Sequence, residues 1–354
     1  VIVKIFGRKV MSTKALTKCT SFASGETFGN LCKGLCQPEA VSSLSCRAHH
    51  NRNSAVFTGT WLEQSVILKS VKKISMGKDN SLFIDDEDKI VKTIIKSKFN
   101  MSIDDYNAKK LLAIQSSLKT SGQVEVENIL SLLQDNEYIA LLLYEKFGIF
   151  PKLLGSCGPM YAVEKVNTMS SFSHLITLYD SREEWIRRVN VSLMIMDYIK
   201  HVETDLPEPL MICNANLDNF GMTDDFKKVI YLNLDSVHPL SVASKLTNDG
   251  SACREHSDCD YLHCRSFCNL ITLKCQYGVV NNNLQIVCER IFLGWVLSGR
   301  VTVPGLLLGP RTPRVLTELL EQCANPDSDN GMPRAPASKE IRTRLYNLLT
   351  YLRT

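Results

Sequence analysis

Apolar positions change their period along the chain near residue 167. Before it, short apolar runs bounded by turn residues alternate with helical stretches. Val56 to Thr60 and Ser65 to Ser70 read as two strands of a hairpin joined through Leu62-Glu-Gln. Phe150 to Gly155 and Met160 to Glu164 read as two more, across a Gly-Ser-Cys-Gly turn. Between the pairs, helical spacing is predicted at Ala108 to Leu118 and at Val124 to Tyr144. In the second of these, Ile129, Leu132, Leu133, Ala140, Leu141 and Leu143 form a stripe that Asp135 and Glu137 interrupt. Val71 to Asn107 is charged and weakly patterned, an expected insertion. Beyond Asn167, Ile186, Val189, Leu193, Met196, Ile199 and Val202 recur at three and four, a long helix buried on one side. Leu206-Pro-Glu-Pro209 stops it. Further helices are expected at Leu284 to Leu297, Thr312 to Cys323 and Ile341 to Leu352, the last two linked by a Gly, Pro and Ser stretch. The pattern predicts an α+β chain in which a small, mostly antiparallel lobe precedes a mainly helical one. The expected division is a cysteine-containing leader at 1–50, a first lobe at 51–167 and a second at 168–354.

Bulk composition narrows the class little. With 354 residues, 44% of them apolar, the chain has ample material for a core. Its 41 basic and 37 acidic residues are too evenly balanced for a nucleic-acid surface, so no nucleic-acid partner is expected. The apolar run from Ile291 to Leu308 is interrupted by Arg300 and Pro304 and reads as a core helix and a turn, not a membrane span.

The 13 cysteines are more informative. Four lie between Cys19 and Cys46 and six between Cys253 and Cys288, a clustering that points to disulfides and an oxidising compartment. The rival reading is zinc, because His256 and His263 stand among Cys253, Cys259, Cys264 and Cys268. The spacings are irregular and contain no Cys-x-x-Cys pair, which favours disulfides. The odd count leaves one thiol over, and Cys157, Cys213 and Cys323, outside both clusters, are the candidates. Asn100-Met-Ser and Asn190-Val-Ser are glycosylation acceptors, Asn100 the better placed of the two.

One stretch, Leu206 to Val237, concentrates candidate chemistry. Two short apolar strands, Leu210 to Ile212 and Val229 to Leu234, flank loops that present Asn214, Asn216, Asp218, Asn219 and Asp235. An amide oxygen and a carboxylate at the ends of paired strands suit Mg²⁺, which prefers oxygen ligands and a polyphosphate partner. In the kinase pattern Asp-x-x-x-x-Asn, the aspartate belongs five residues before Asn219, where Asn214 stands.

Strand-lysine, helix-glutamate, hinge strand, long helix, Asn loop and strand-Asp follow one another here in the order of the protein-kinase fold. The likeness sharpens at Asn136-Glu-Tyr with Phe150-Pro-Lys-Leu-Leu-Gly-Ser-Cys-Gly158, at Leu217-Asp-Asn-Phe-Gly221, and at Cys268-Asn-Leu-Ile-Thr-Leu-Lys-Cys275 with Val280-Asn-Asn-Asn-Leu-Gln-Ile-Val-Cys288. These segments resemble the divergent protein kinase domain family 1, also called the family with sequence similarity 69, cysteine-rich kinase-like proteins of the endoplasmic reticulum lumen.

The resemblance implies a two-lobed kinase-like fold with a disulfide-rich segment at 253–288, ATP and Mg²⁺ as cofactors, and protein partners in the secretory pathway. It also implies a type II membrane topology. The sequence opens at Val1 without a Met, and the short anchor is expected to precede it. Residue by residue, Lys69 would grip the nucleotide α- and β-phosphates and pair with Glu137. Glu164 to Val166 would form the hinge beside the adenine. Asn219 and Asp235 would hold Mg²⁺.

Three departures from the family pattern argue against efficient phosphotransfer. Asn214 cannot take up a substrate proton, and loss of such a base costs roughly 10²–10⁴ in rate. Asn216 replaces the lysine two residues on. Residues between Cys46 and Gly59 contain no Gly-x-Gly to cradle phosphates, leaving Arg47 or Arg52 to substitute by charge. The family's calcium loop has as its counterpart Ser117 to Asn128, with Ser117, Lys119, Ser121 and Asn128 at ligand positions around Gly122, so no calcium binding is expected. The leading expectation is therefore a pseudokinase that acts as a scaffold or regulator. The alternatives are an active atypical lumenal kinase and a disulfide-rich binding module on an inert kinase fold.

Overall fold

The computed structural model describes residues 19–36, 41–46, 55–72, 87–106, 108, 122–169, 181–223, 228–248, 250–297, 300–328 and 331–353. The chain divides into two compact units, Val1–Lys165 and Val166–Thr354.

A five-stranded antiparallel sheet organises the first unit. Its strands are β1 (Val41–Cys46), β2 (Ala55–Trp61), β3 (Gln64–Ser70), β4 (Leu153–Cys157) and β5 (Met160–Glu164), in the order β1-β2-β3-β5-β4. The β2–β3 hairpin turns through Leu62 and Glu63, both in the left-handed region at φ 48° and 65°. Two-residue hairpins favour that geometry because it matches strand twist, although Asn and Gly adopt it more cheaply. The β4–β5 turn lies at Gly158 and Pro159, later than the sequence suggested, because Gly155, Ser156 and Cys157 pair within β4.

Alternation along β3 separates the sheet's two faces. Val66 and Leu68 point into a core with Phe57, Ala162 and Leu31, whereas Lys69 points to the opposite face. Helix α1 (Asn30–Cys36) packs on the core side, held by the Cys32–Cys157 disulfide and by Asn30, whose Oδ1 accepts from the Ser156 amide at 2.9 Å. Gly29 is required at this seam, since a Cβ there would meet the Ser156 carbonyl oxygen at 2.0 Å. The segment expected as a leader thus supplies a helix and an edge strand to the unit. Between the hairpins lie α2 (Glu87–Phe99), α3 (Gly122–Leu132) and α4 (Asn136–Leu143).

Two expectations are corrected here. The charged insertion contains α2, whose Val91, Ile95 and Phe99 are buried at four-residue intervals. The helix expected from Val124 to Tyr144 is two helices, because Asp135 accepts a hydrogen bond from the Glu137 amide at 2.9 Å and so starts α4 afresh. Most of the helix expected at Ala108 to Leu118 lies outside the described residues, as do Arg47, Arg52 and residues 117–121 of the calcium-loop counterpart.

The second unit is built on α5 (Arg182–Thr204), capped at Ser181 and buried along Val189, Ile195, Ile199 and Val202. Short strands gather beside it. β6 (Asn167–Thr168), β8 (Phe220–Met222) and β9 (Val229–Tyr231) form one sheet, and β7 (Leu210–Ile212) pairs with β10 (Val237–Pro239). The two apolar strands of the 206–237 stretch are therefore not partners of each other. Each has its own, and the second ends at Tyr231, leaving Leu234 in a 3₁₀ turn.

Next come α6 (Leu240–Leu246), the small hairpin of β11 (Cys268–Asn269) and β12 (Lys274–Cys275), and α7 (Asn283–Val287). The helix expected from Leu284 to Leu297 ends early. A π-type turn at Cys288–Phe292 gives way to β13 (Gly294–Leu297), which pairs with β14 (Arg300–Pro304). Gly294, at φ 101°, allows this, because a Cβ there would lie 2.2 Å from the Val303 carbonyl oxygen. Helices α8 (Arg314–Ala324) and α9 (Lys339–Leu352) complete the unit.

Among the described residues, six disulfides join Cys19 to Cys36, Cys32 to Cys157, Cys213 to Cys264, Cys253 to Cys268, Cys259 to Cys275 and Cys288 to Cys323. The expectation of a disulfide framework is met. The candidates for a leftover thiol are not, since Cys157, Cys213 and Cys323 are all bonded to partners distant in sequence.

Candidate functional site

In the first unit the site grows from the polar face of β3. Lys69 Nζ contacts both carboxylate oxygens of Glu137, forming a bidentate ion pair in which both side chains are largely buried. Glu137 lies in the first turn of α4, where unpaired amides and the helix dipole favour a negative charge. Two contacts fix that turn on the sheet. Asp135 caps the helix through one oxygen, and its Oδ2 accepts from the Tyr161 hydroxyl at 3.0 Å. Tyr161 stands directly across the strand pair from Lys69, and its ring meets Tyr138 at 5.3 Å. Sheet lysine, helix glutamate and helix cap thus form one assembly on one face.

Glu164, the last residue of β5, directs its Oε1 to the Lys152 amide at 2.8 Å. Its carboxylate therefore braces β4, and the Glu164 and Lys165 amides donate to the Lys152 and Ser65 carbonyls at 3.0 and 3.1 Å. The unit boundary falls between Lys165 and Val166. Val166 is buried in the second unit, against Gly221, where a Cβ would meet Val166 Cγ1 at 2.7 Å.

In the second unit Asn214 follows β7. That three-residue strand is held on one side by β10 and on the other by the Asn283 side chain, which accepts from the Ile212 amide and donates to the Leu210 carbonyl, each at 2.8 Å. The Asn214 main-chain oxygen accepts from Asn219 Nδ2 at 2.9 Å and from the Tyr231 hydroxyl at 2.7 Å. Asn219 also donates from Nδ2 to Tyr231 Oη at 3.4 Å. A carbonyl oxygen can only accept, so the network fixes which way the Asn219 amide faces. The two acceptors lie on the same side of Nδ2, so one N–H faces them both and Asn219 Oδ1 is turned away from the Asn214 oxygen. Asn216 closes the turn below by accepting from the Asp218 amide.

Asp235 occupies the exposed position of the 234–236 turn. Its main-chain oxygen accepts from the His238 ring, whose pKa burial pushes down to about 4 against that hydrogen bond. Tyr261 stands beside both. Its hydroxyl lies 3.3 Å from His238 Nε2, and burial together with the Asp235 charge raises its pKa. Tyr231, fully buried, is pushed up to about 12 by burial.

Cysteine chemistry reaches this site directly. Cys213, the residue before Asn214, is bonded to Cys264, and its main chain accepts from the His263 amide at 2.7 Å and donates to Ser236 at 2.9 Å. Nothing in the cysteine spacing links that segment to the Asn loop, and Tyr231 lies within the expected apolar strand Val229 to Leu234. A buried tyrosine needs partners for its hydroxyl, and that was the available signal.

One amide oxygen and one carboxylate are hard donors that fit Mg²⁺, and a lysine already faced by a carboxylate fits nucleotide phosphates. An antiparallel sheet bearing Lys69 paired to a helix glutamate, with an Asn loop and a turn Asp in a helical unit, defines a protein-kinase-like fold. The family model described as the protein-kinase domain of FAM69 matches residues 129–326, and the one described as the N-terminal cysteine-rich ER segment of FAM69 matches residues 5–119. The chain belongs to this FAM69 family, which associates it with the endoplasmic reticulum. Among solved structures, the ROP18 kinase domain in complex with AMP-PNP and sucrose is similar at 9% identity, over 87% of this chain and 79% of that one, with a TM-score of 0.41. No helix among the described residues is long and apolar enough to cross a membrane.

Proposed function

We propose that this chain is a lumenal pseudokinase that binds ATP with Mg²⁺, transfers phosphate poorly or not at all, and works as a scaffold or regulator in the secretory pathway. The observation that carries the reading is the Lys69–Glu137 ion pair, which holds the phosphate-gripping lysine oriented and largely shielded from water. Asn219 and Asp235 supply the cation ligands, Lys69 supplies charge for the phosphates, and the main chain of 164–166 supplies the hinge. Bound Mg²⁺ would contribute charge neutralisation between phosphates, chemistry no side chain of this site provides alone.

The loss of transfer follows from Asn214. Its carbonyl is taken up by Asn219 and Tyr231, and its carboxamide has no basic atom for a substrate hydroxyl proton. Disulfides throughout both units suit the lumen, and Asn100, at the C-terminal end of α2, is the better glycan acceptor.

A thermal-shift titration with ATP and Mg²⁺ tests the reading. Wild type is expected to gain stability with saturation, and Lys69→Ala to lose that gain. Absence of any gain, or an equal gain in Lys69→Ala, removes nucleotide binding at this site.

A further inference from the structure

We propose that Tyr231 is a positioning residue that sets the Asn219 carboxamide, and through Ser236 the Asp235 turn, for a divalent cation; the inference rests on the nucleotide and Mg²⁺ reading above. Strand β9 carries Val229, Ile230 and Tyr231, all buried, and a phenylalanine at the third position would fill the same space. The ring's packing is accounted for by an edge-to-face contact with Phe220 at 5.0 Å, which in turn meets Tyr198 at 5.8 Å.

The hydroxyl has a separate set of contacts, and all of them belong to the candidate cation loop or to the turn bearing Asp235. It donates to the Asn214 carbonyl at 2.7 Å, accepts from Asn219 Nδ2 at 3.4 Å and stands 3.3 Å from Ser236 Oγ. With the Tyr231 hydrogen on the Asn214 carbonyl, Ser236 Oγ is the donor of that pair, its one hydrogen shared with the Asn233 carbonyl at 3.0 Å within the same turn. One hydroxyl therefore joins the loop of Asn214 and Asn219 to the residue after Asp235.

The consequence for a cation is geometric. With Asn219 Nδ2 turned to the Asn214 carbonyl, its Oδ1 is held on the other side, and reorienting the amide would set oxygen against the Asn214 oxygen. Without the Tyr231 hydroxyl, the Asn214 carbonyl that orients the Asn219 amide loses its short hydrogen bond, and loop and turn lose their shared node. The two ligands then need ordering when the cation arrives. Partners that orient a ligand in this way are typically worth 10- to 100-fold in metal affinity.

The test uses the whole chain. Thermal stabilisation by ATP is measured as a function of Mg²⁺ for wild type, Tyr231→Phe, Ser236→Ala and Tyr198→Phe. Tyr231→Phe is expected to keep its stabilisation by ATP without Mg²⁺ and to need about 10- to 100-fold more Mg²⁺ for the rest. Ser236→Ala, which keeps the ring and breaks the link to the Asp235 turn, is expected to shift the requirement in the same direction and serves if Tyr231→Phe does not fold. Tyr198→Phe removes a hydroxyl that bonds the Tyr231 main chain, leaves the contacts of the Tyr231 hydroxyl in place, and is expected to leave the Mg²⁺ requirement as in wild type.

An unchanged requirement in both Tyr231→Phe and Ser236→Ala, or an equal rise in Tyr198→Phe, overturns the role of Tyr231 while the nucleotide reading stands. A wild type with no response to ATP and Mg²⁺ overturns both.

Discussion

Cys213 and Cys264 are covalently joined, Cα to Cα 4.9 Å, one residue before the position where a kinase keeps its catalytic base. The bond and the His263-to-Cys213 hydrogen bond make the cysteine-rich segment a bracket for the Asn214 loop. The bridge closes a loop of 51 residues in sequence separation. Chain-entropy arithmetic for such a loop gives about 4 kcal/mol. The double variant Cys213→Ala, Cys264→Ala is expected to lose stability of that order in urea denaturation of the second unit's signal. It is also expected to raise proteolytic cleavage near 214–219. A variant as stable and as resistant as wild type would show that the bracket does not hold the loop.

Asp135 gives a second test, in the first unit. Its two oxygens serve the α4 cap and Tyr161, so it governs where Glu137 meets Lys69. Asp135→Ala is expected to cost about 1 kcal/mol for the cap alone and to weaken ATP-dependent stabilisation. Asp135→Asn preserves a good cap and is expected to retain most of both. The pair of melting curves, with and without nucleotide, reads the outcome.

Acid is expected to weaken the second unit through His263. Burial first, and then the nearby charge of Arg290, hold its pKa down to about 4, with Arg265 acting the same way and Glu289 opposing. Glu289 stays charged in this cluster, because bonding and charge from Arg265, with Arg290, outweigh the effect of burial. The sign follows from linkage. Unfolded histidine, near 6.5, binds a proton that the folded side chain refuses until about pH 4. Stability is therefore fully present above about pH 6.5 and declines as pH falls toward 4. Denaturation midpoints at pH 7.5, 6 and 5 check this, and His263→Gln is expected to flatten the decline.

Much of this architecture was legible where one local rule sufficed. The β2–β3 hairpin, the long helix α5 and the strand lysine each follow from period and punctuation, and irregular spacing without a Cys-x-x-Cys pair separated disulfides from zinc. What escaped depended on partners distant in sequence. Charged residues masked α2, because only three apolar positions, at intervals of four, face its core. A single carboxylate, Asp135, split one apolar stripe into two helices. Gly294 redirected an apolar run from helix to hairpin because another strand's backbone approaches it.

Candidate site residues show the same division. Lys69, Glu137, Asn219 and Asp235 can be named from motif order. The hydroxyl of Tyr231 cannot, since its partners lie on three different segments. Nor can the pairing of Cys213 with Cys264, which sequence left as a loose thiol and a cluster member.

The most direct measurement is a crystal structure of the protein grown with a non-hydrolysable ATP analogue and Mn²⁺, read by anomalous scattering. The account predicts a manganese peak bonded to Asn219 Oδ1 and the Asp235 carboxylate, with Lys69 Nζ on the α- or β-phosphate. A fully occupied nucleotide elsewhere, or a manganese peak that touches neither Asn219 nor Asp235, would contradict it.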